Sequence, residues 1–294
     1  MNQSSSKPKV LIQLDADPQP SAFDQIVALD ATVDHVLAYG GVTIDQIETI
    51  VHGAIFTRGG ADLAHTAIFV GGSDVSAGQS ILERVVGTFF GPMRVSVMLD
   101  ANGANTTAAA AVLCAAGQWE LSSSSALVLA GTGPVGQRVV RLLARQGTKV
   151  KLGSRSAQRA ATTAKQINNL VRSETVEPCA TSDDNALDAA LDGVQVVIAA
   201  GKTGTQLLPK ALRLAHPSLR VCIDLNAVPP AGIEGVEPID KAVERDNMIA
   251  FGAIGVGGRK MKIHKAALRS LFERNDRVLD AESIYDLAQN LDGS

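Results

Sequence analysis

The sequence predicts an α/β fold of two domains: a Rossmann-type doubly wound parallel sheet plus a smaller α/β substrate domain. Two observations predict it. The apolar run Ala126-Leu127-Val128-Leu129-Ala130 enters Gly131-Thr132-Gly133-Pro134-Val135-Gly136, and an amphipathic helix pattern follows at once. Strand-like and helix-like stretches also alternate on both sides of this motif, as in largely parallel sheets. In the motif, Gly131 permits a tight turn and Gly133 lets a pyrophosphate approach the backbone. Gly136 lets the helix pack on the strand, and the phosphates would sit on the free N–H groups at its positive end. Pro134 suits a first-turn position, where its missing N–H costs little. The competing reading is a strand-to-helix turn without a ligand.

The chain before the motif divides at Pro and Gly signals. Val10–Leu14 reads as a strand that turns at Asp15-Ala16-Asp17-Pro18. Ser21 caps a helix to about Leu29, with Phe23, Ile26 and Val27 on one face. His35–Tyr39 reads as a strand closed by Gly40-Gly41. Thr43-Ile44-Asp45-Gln46 is a capping-box pattern that opens a helix to about His52. Ala54–Thr57 reads as a strand broken by Arg58-Gly59-Gly60, and Thr66–Val70 as another broken by Gly71-Gly72. Asp74 caps a helix in which Ile81, Val85 and Phe89 recur. Val95–Leu99 is a strand, and an alanine-rich helix follows from Thr106 to Ala116. The serine run Leu121–Ser125 marks a seam. It places one domain in residues 1–120 and the nucleotide domain in 121–274, with a helix in 275–294 packing back on the first.

After the motif, the helix ends near Gly147. Lys149–Leu152 is the second nucleotide strand, followed by a helix from Ala157 to Leu170. Val176–Ala180, Val194–Ala199 and Arg220–Asp224 read as further strands, with a short helix over Asp184–Leu191 and another near Pro209. Ile249–Gly258 ends in a glycine-rich loop. Helices then run from about Arg259 to Leu271 and from a cap at Asp280 to Asn290.

Composition narrows the partners. The chain has 294 residues, 46% hydrophobic and only 3% aromatic, with a net charge of −3. That balance gives no reason to expect nucleic acid or an anionic membrane. No apolar run reaches the ~20 residues that span a bilayer. Met1–Lys9 lacks an apolar signal core and reads as a frayed tail. Cys114, Cys179 and Cys222 are scattered among small or apolar residues, as reduced packing thiols of a cytoplasmic protein are. The histidines are dispersed and offer no metal-ligand spacing.

The nucleotide preference is legible at the end of the second strand. An NAD site usually carries an acid there, about 20 residues past the first glycine. Here Ser154, Arg155 and Ser156 hold the place, and no carboxylate occurs between Gln137 and Ser173. A guanidinium flanked by hydroxyls suits a 2′-phosphate, so NADP is expected and NAD more weakly. Later nucleotide contacts fall to residues beyond the other strands: Ala200, Asn226, Ala253 and Ile254. Substrate candidates are the loops Asp15–Pro18, Thr57–Gly60, Gly71–Asp74 and Asp100–Asn105, rich in glycine and short polar side chains. Lys260 and Lys262 either hold an anionic substrate tail or are solvated, and His264 reads first as a packing histidine. No Tyr-x-x-x-Lys pair or nucleophile elbow is present. A reaction that moves only a hydride needs neither.

Several stretches together resemble one family. They are Ile12–Asp17, Ser21-Ala22-Phe23-Asp24, Phe56–Gly60, Ala67–Gly72, Phe89–Pro92, Met98–Ala110, Leu129–Gly136 and Phe251–Gly258. The chain is similar to the bacterial NAD(P)-dependent methylene-tetrahydromethanopterin dehydrogenases over almost its whole length. Some members of that family use methylene-tetrahydrofolate. The resemblance implies hydride transfer from a methylene carbon bridging two nitrogens to the nicotinamide, leaving a delocalised methenyl cation. A nearby carboxylate would stabilise the growing charge. Asp15, Asp17 and Asp100 are the candidates, with turn and capping duty as the competing reading. Lys260 is the lysine to watch. Substrate-contact candidates are Ser21, Thr57, Gly59, Gly60, Asn102 and Lys260. The implied partner is a small pterin or folate carrier, and the implied assembly is a trimer-based homo-oligomer. Alternatives are a methylene-tetrahydrofolate enzyme of the same family and a protein that senses NADP without turnover. A shikimate-type dehydrogenase needs a first-domain lysine, yet none occurs between Lys9 and Lys149.

Overall fold

The computed structural model describes residues 7–291, so most of the expected tail lies outside the described residues. The chain forms two compact units. One runs to Thr106 and resumes at Met261; the other spans Thr107–Lys260. Both boundaries fall inside helices, and the expected seam at Leu121–Ser125 instead forms the turn into a strand. Serine-rich composition signalled a turn there, because helices carry the chain through the actual boundaries.

In the first unit the chain alternates β1 (Val10–Leu14), α1 (Ala22–Asp30), β2 (His35–Tyr39), α2 (Ile44–Phe56), β3 (Thr66–Val70), α3 (Val75–Thr88) and β4 (Ser96–Leu99). Local caps start the helices. The Ser21 hydroxyl accepts from the Asp24 N–H at 3.3 Å, and Asp74 Oδ1 accepts from Ser76 and Ala77 N–H at 2.8 and 3.0 Å. At α2, Gln46 Oε1 accepts from the Thr43 N–H at 3.0 Å. The expected strand Ala54–Thr57 is the end of α2: Ile47, Val51, Ala54 and Ile55 are buried with helical spacing. Four residues were too few to separate the two periods. On α1 only Val27 of the expected face is buried; Phe23 is 54% and Ile26 61% exposed.

α4 (Ala104–Ala116) leads into the second unit, which holds β5 (Ser125–Leu129), α5 (Pro134–Arg145), β6 (Lys149–Ser154), α6 (Ala157–Val171) and β7 (Val176–Ala180). It continues through α7 (Asp184–Leu191), β8 (Val196–Ala199), α8 (Lys210–Ala215), β9 (Val221–Asp224), β10 (Lys241–Arg245) and β11 (Met248–Phe251). α9 (Ala253–Ser270) then runs into the first unit, where β12 (Val278–Leu279) and α10 (Ala281–Gln289) complete it. The expected glycine-rich loop after Phe251 is the first turn of α9. Gly252 and Gly255 are needed because a Cβ at either would overlap the carbonyl oxygens of Glu237 and Asp240. β10 and β12 carry no clear strand pattern in the sequence.

The first sheet is five-stranded in the order β12-β4-β3-β1-β2 and wholly parallel. The second is seven-stranded in the order β10-β11-β9-β8-β5-β6-β7, parallel except for the β10–β11 pair. The inner strands β3, β4, β5 and β8 are buried, largely apolar runs, as in a parallel sheet covered on both faces, while the edge strands β2, β7 and β10 are more exposed. One core of the second unit joins Leu127, Leu129, Leu191, Val197, Cys222 and Ala250. Among the described residues no helix is long and apolar enough to cross a membrane.

Candidate functional site

In open α/β sheets, ligands bind outside the carboxyl ends of the strands, where the strand order reverses. In the first sheet that place is between β1 and β3, whose chains leave in opposite directions. Asp15 ends β1 there and is fully buried. Its Oδ2 accepts from the Ser21 N–H at 3.1 Å and from Gln13 Nε2 at 3.4 Å. Its Oδ1 has no hydrogen-bond partner among the described residues. A Cβ on Gly72 would lie 2.5 Å from that oxygen, so only glycine fits where the β3 loop crosses. Burial raises the Asp15 carboxyl above the usual range, and the Asp17 charge adds to this, against the Ser21 and Asp17 N–H groups and the Gln13 amide.

Asp17 is engaged by the neighbouring loop: Ser73 donates to its two oxygens through N–H and hydroxyl, both at 2.8 Å. Asp100 starts α4. Its Oδ1 accepts from Asn105 and Thr106 N–H at 2.9 and 3.0 Å, and its Oδ2 from the Thr106 hydroxyl at 2.6 Å. Both residues therefore do turn and capping duty in this structure. Exposed Asn102 takes a left-handed φ of 53°, and its N–H donates to the Gly72 carbonyl at 2.6 Å, tying the β4 loop to the β3 loop.

The carboxylate that sequence reasoning did not select is Asp24. It lies in the first turn of α1, half-buried. Oxygens of both Asp15 and Asp24 lie 3.5 Å from the position of a Cβ on Gly71. Burial chiefly raises its carboxyl, opposed by His264 and the Ser21 hydroxyl and reinforced by Asp100 and Asp15. The stretch Ser21-Ala22-Phe23-Asp24 was a visible signal; only the fold shows that Asp24 joins this cluster. His264 is buried, stacked on Phe69 with ring centroids 5.7 Å apart, and its Nδ1 lies 3.8 Å from Asp100 Oδ2.

Thr57, Gly59 and Gly60 leave the candidate set. Because α2 runs on through Phe56, their loop precedes β3 and lies at the amino edge of the sheet. Arg58 there donates to the carbonyls of Pro8 and His65, which precede β1 and β3. Lys260 is half-buried and Lys262 exposed on α9, neither ion-paired among the described residues.

The second unit reverses its strand order between β5 and β8. The turn after β5 places its left-handed φ of 55° at Ala130, so Gly131 is not needed for the conformation expected of it. It is needed for space: a Cβ would lie 2.9 Å from Leu152 Cγ and 3.0 Å from the Val128 carbonyl oxygen. At Gly136 a Cβ would lie 2.6 Å from the Ala130 carbonyl oxygen. Gly133 is the least crowded of the three, and no side chain caps α5, whose first residue is Pro134. Thr132 and Val135 are partly open, and the Thr132 carbonyl accepts from Gln137 at 2.8 Å.

At the end of β6, Arg155 is exposed and unpaired among the described residues. Ser154 Oγ accepts from the Ser156 N–H at 3.2 Å, and Ser156 Oγ from the Arg159 N–H at 3.3 Å. Neither hydroxyl donates its proton among the described residues; Ser156 is half-buried and Ser154 buried. Ala200 follows β8, and its N–H donates to the Leu129 carbonyl at 3.1 Å. Asn226 braces the loop after β9: its Oδ1 accepts from Val228 N–H at 3.0 Å, and its Nδ2 donates to the Pro230 carbonyl at 2.9 Å. Ala253 opens α9, and Ile254 beside it is exposed. The uncapped α5, the half-buried Gly133 and the exposed Arg155 fit an NADP phosphate set, with no carboxylate paired to Arg155 among the described residues.

Residues 22–102 match the family model described as methylene-tetrahydromethanopterin dehydrogenase, N-terminal. The bifunctional protein MdtA of Methylorubrum extorquens is 44% identical over 285 residues, 96% of this chain and 99% of that one. The chain belongs to the methylene-tetrahydromethanopterin dehydrogenase family. A second relative from that organism, an NAD(P)-dependent methylenetetrahydromethanopterin dehydrogenase, is 27% identical and covers 93% of this chain and 95% of its own. Among solved structures, shikimate 5-dehydrogenase from Listeria monocytogenes aligns with a TM-score of 0.55 at 13% identity, covering 97% of this chain and 96% of that one. The 5-ketofructose reductase of a Gluconobacter strain aligns at 0.53 and 12% identity, covering 97% and 99%. At such identities the likeness is one of fold.

Proposed function

We propose that this chain oxidises methylene-tetrahydromethanopterin to the methenyl form with NADP. The observation that carries this reading is the full-length similarity to MdtA, joined to a polar switch point in the first unit and a phosphate-ready glycine turn in the second. The first unit takes the pterin carrier and the second takes NADP. When bound, NADP supplies the hydride acceptor. Gly131, Thr132, Gly133, Pro134, Val135 and Gly136 form its phosphate turn. Ser154, Arg155 and Ser156 receive the 2′-phosphate, and Ala200, Asn226, Ala253 and Ile254 line the later strand ends. Ser21 and Asn102 contact the carrier, and Asp15, Asp17 and Asp100 hold the loops and the negative field around it. No proton needs to move, so the residues align the substrate and stabilise positive charge.

The chain works as a trimer-based homo-oligomer in the cytoplasm. Exposed Phe23, Ile26 and Leu29 on α1, with Leu37 and Tyr39 on edge strand β2, support self-association. Light scattering tests the oligomer. The activity is tested by mixing protein, NADP and methylene-tetrahydromethanopterin and following methenyl product and NADPH by absorbance. No product with either the pterin or the folate carrier rejects the reading.

A further inference from the structure

The carboxylates at the first switch point are not equivalent. Asp17 has both oxygens engaged by Ser73, and Asp100 is held by the start of α4. Asp15 is wholly enclosed. Asp17 and Asp24 are both half-buried, but among the described residues Asp24 alone of the four accepts no backbone N–H on its carboxylate, whose hydrogen-bond partner is the Ser21 hydroxyl. It also stands where β1 and β3 diverge, its Oδ2 and that of Asp15 each 3.5 Å from where a Cβ on Gly71 would sit. The charges that act on it are Asp15 from the end of β1, Asp100 from the end of β4 and His264 from α9, whose Nδ1 lies 3.8 Å from Asp100 Oδ2, with the Ser21 hydroxyl at the start of its own helix.

We propose that Asp24 is the carboxylate set against the one-carbon bridge, with His264 behind it as a positioning residue. This rests on the activity proposed above. The C–H electron pair leaves the bridge as hydride, and a nitrogen lone pair closes a C=N bond. The bridge becomes a cation delocalised over both nitrogens, and the nicotinamide is reduced. Asp24 exchanges no proton; its charge favours the transition state over the neutral methylene carrier. The other carboxylates deepen the negative field, and His264 keeps it from driving Asp24 to its neutral form.

The test is Asp24→Asn beside Asp24→Glu, His264→Gln and the exposed control Asp30→Asn, all in the full chain. With methylene-tetrahydromethanopterin and NADP, Asp24→Asn is expected to lower kcat about ten- to a hundredfold with little change in KM. Asp24→Glu retains more, and Asp30→Asn matches wild type. Binding of methenyl-tetrahydromethanopterin weakens more than binding of the methylene carrier. Wild type loses kcat as acid neutralises Asp24; His264→Gln moves that limb to higher pH, and Asp24→Asn abolishes it. The Asn variant keeps its melting temperature or gains, since burial disfavours the charge it removes. Wild-type kcat in Asp24→Asn, equal losses in the Asn and Glu variants, or a solvent deuterium effect that Asp24→Asn removes would overturn the proposal. A wild type inactive on both carriers would overturn the activity itself; an active wild type with an unimpaired Asn variant overturns only the placement.

Discussion

At the residue scale, charge placement separates the two nucleotides. Arg155 is exposed at the end of β6 and unpaired among the described residues, so its cation costs nothing to present to a phosphate. Arg155→Ala should raise KM for NADP at least about tenfold while leaving KM for NAD nearly unchanged, as expected for a lost charged hydrogen bond. Steady-state kinetics with each nucleotide decide it; equal effects would refute the assignment. Asp15 makes an opposite case, a charge the fold disfavours. Its folded carboxyl lies above the ordinary value, chiefly through burial. Its stabilising contribution is complete below about pH 4, the unfolded value, and is lost as pH rises through the folded one. Asp15→Asn should therefore gain stability relative to wild type as pH rises from about 4 to 8. Melting temperatures across that range check this, and parallel curves would contradict it.

At the scale of elements, the legible parts were those whose causes are local. Ser21, Asp74 and Asp280 mark helix starts because a capping side chain reaches a backbone N–H within the next turn, and Thr43 marks one because the Gln46 side chain reaches back to its N–H. The glycine turn after β5 was readable from its spacing, though Gly131 is held by its approach to Leu152 of β6 rather than by its own conformation. Ala54–Thr57 was not, and that one misreading moved Thr57, Gly59 and Gly60 to the wrong edge of the sheet. Asp24 was hidden because its neighbours Asp15, Gly71 and His264 come from separate elements. Gly255 shows the same non-local cause: glycine inside a helix costs about 1 kcal/mol against alanine in isolation. Here the helix must clear the Asp240 carbonyl, and Gly255 N–H donates to the Pro238 carbonyl at 3.3 Å. Gly255→Ala, which raises local helix propensity, should nevertheless destabilise the protein by about 3 kcal/mol or more through overpacking. Urea unfolding measures it, and an unchanged midpoint would show that the helix start can shift freely.

At the scale of the whole molecule, the chain order and the unit order disagree. The first unit resumes at Met261, so its sheet is completed by residues synthesised last. β12 pairs Val278 with Val97 and Leu279 with Met98 on β4. Ile284, Tyr285 and Ala288 of α10 are buried, and the Ser96 hydroxyl donates to the Arg274 carbonyl at 2.7 Å. Stopping the chain after Arg274 removes several large buried side chains, each worth about 2–5 kcal/mol. That loss rivals the 5–15 kcal/mol typical of a whole domain. The second unit keeps all its strands, from β5 to β11, and its glycine turn. The truncated protein should therefore lose hydrogen-exchange protection in β1, β3 and β4 while still binding NADP through the second unit. Calorimetric titration with NADP and exchange mapping of the same sample read both halves of the expectation. Retained protection in β3 and β4 would mean that the first sheet closes without its last strand. Loss of NADP binding would mean that the second unit depends on the first for its fold.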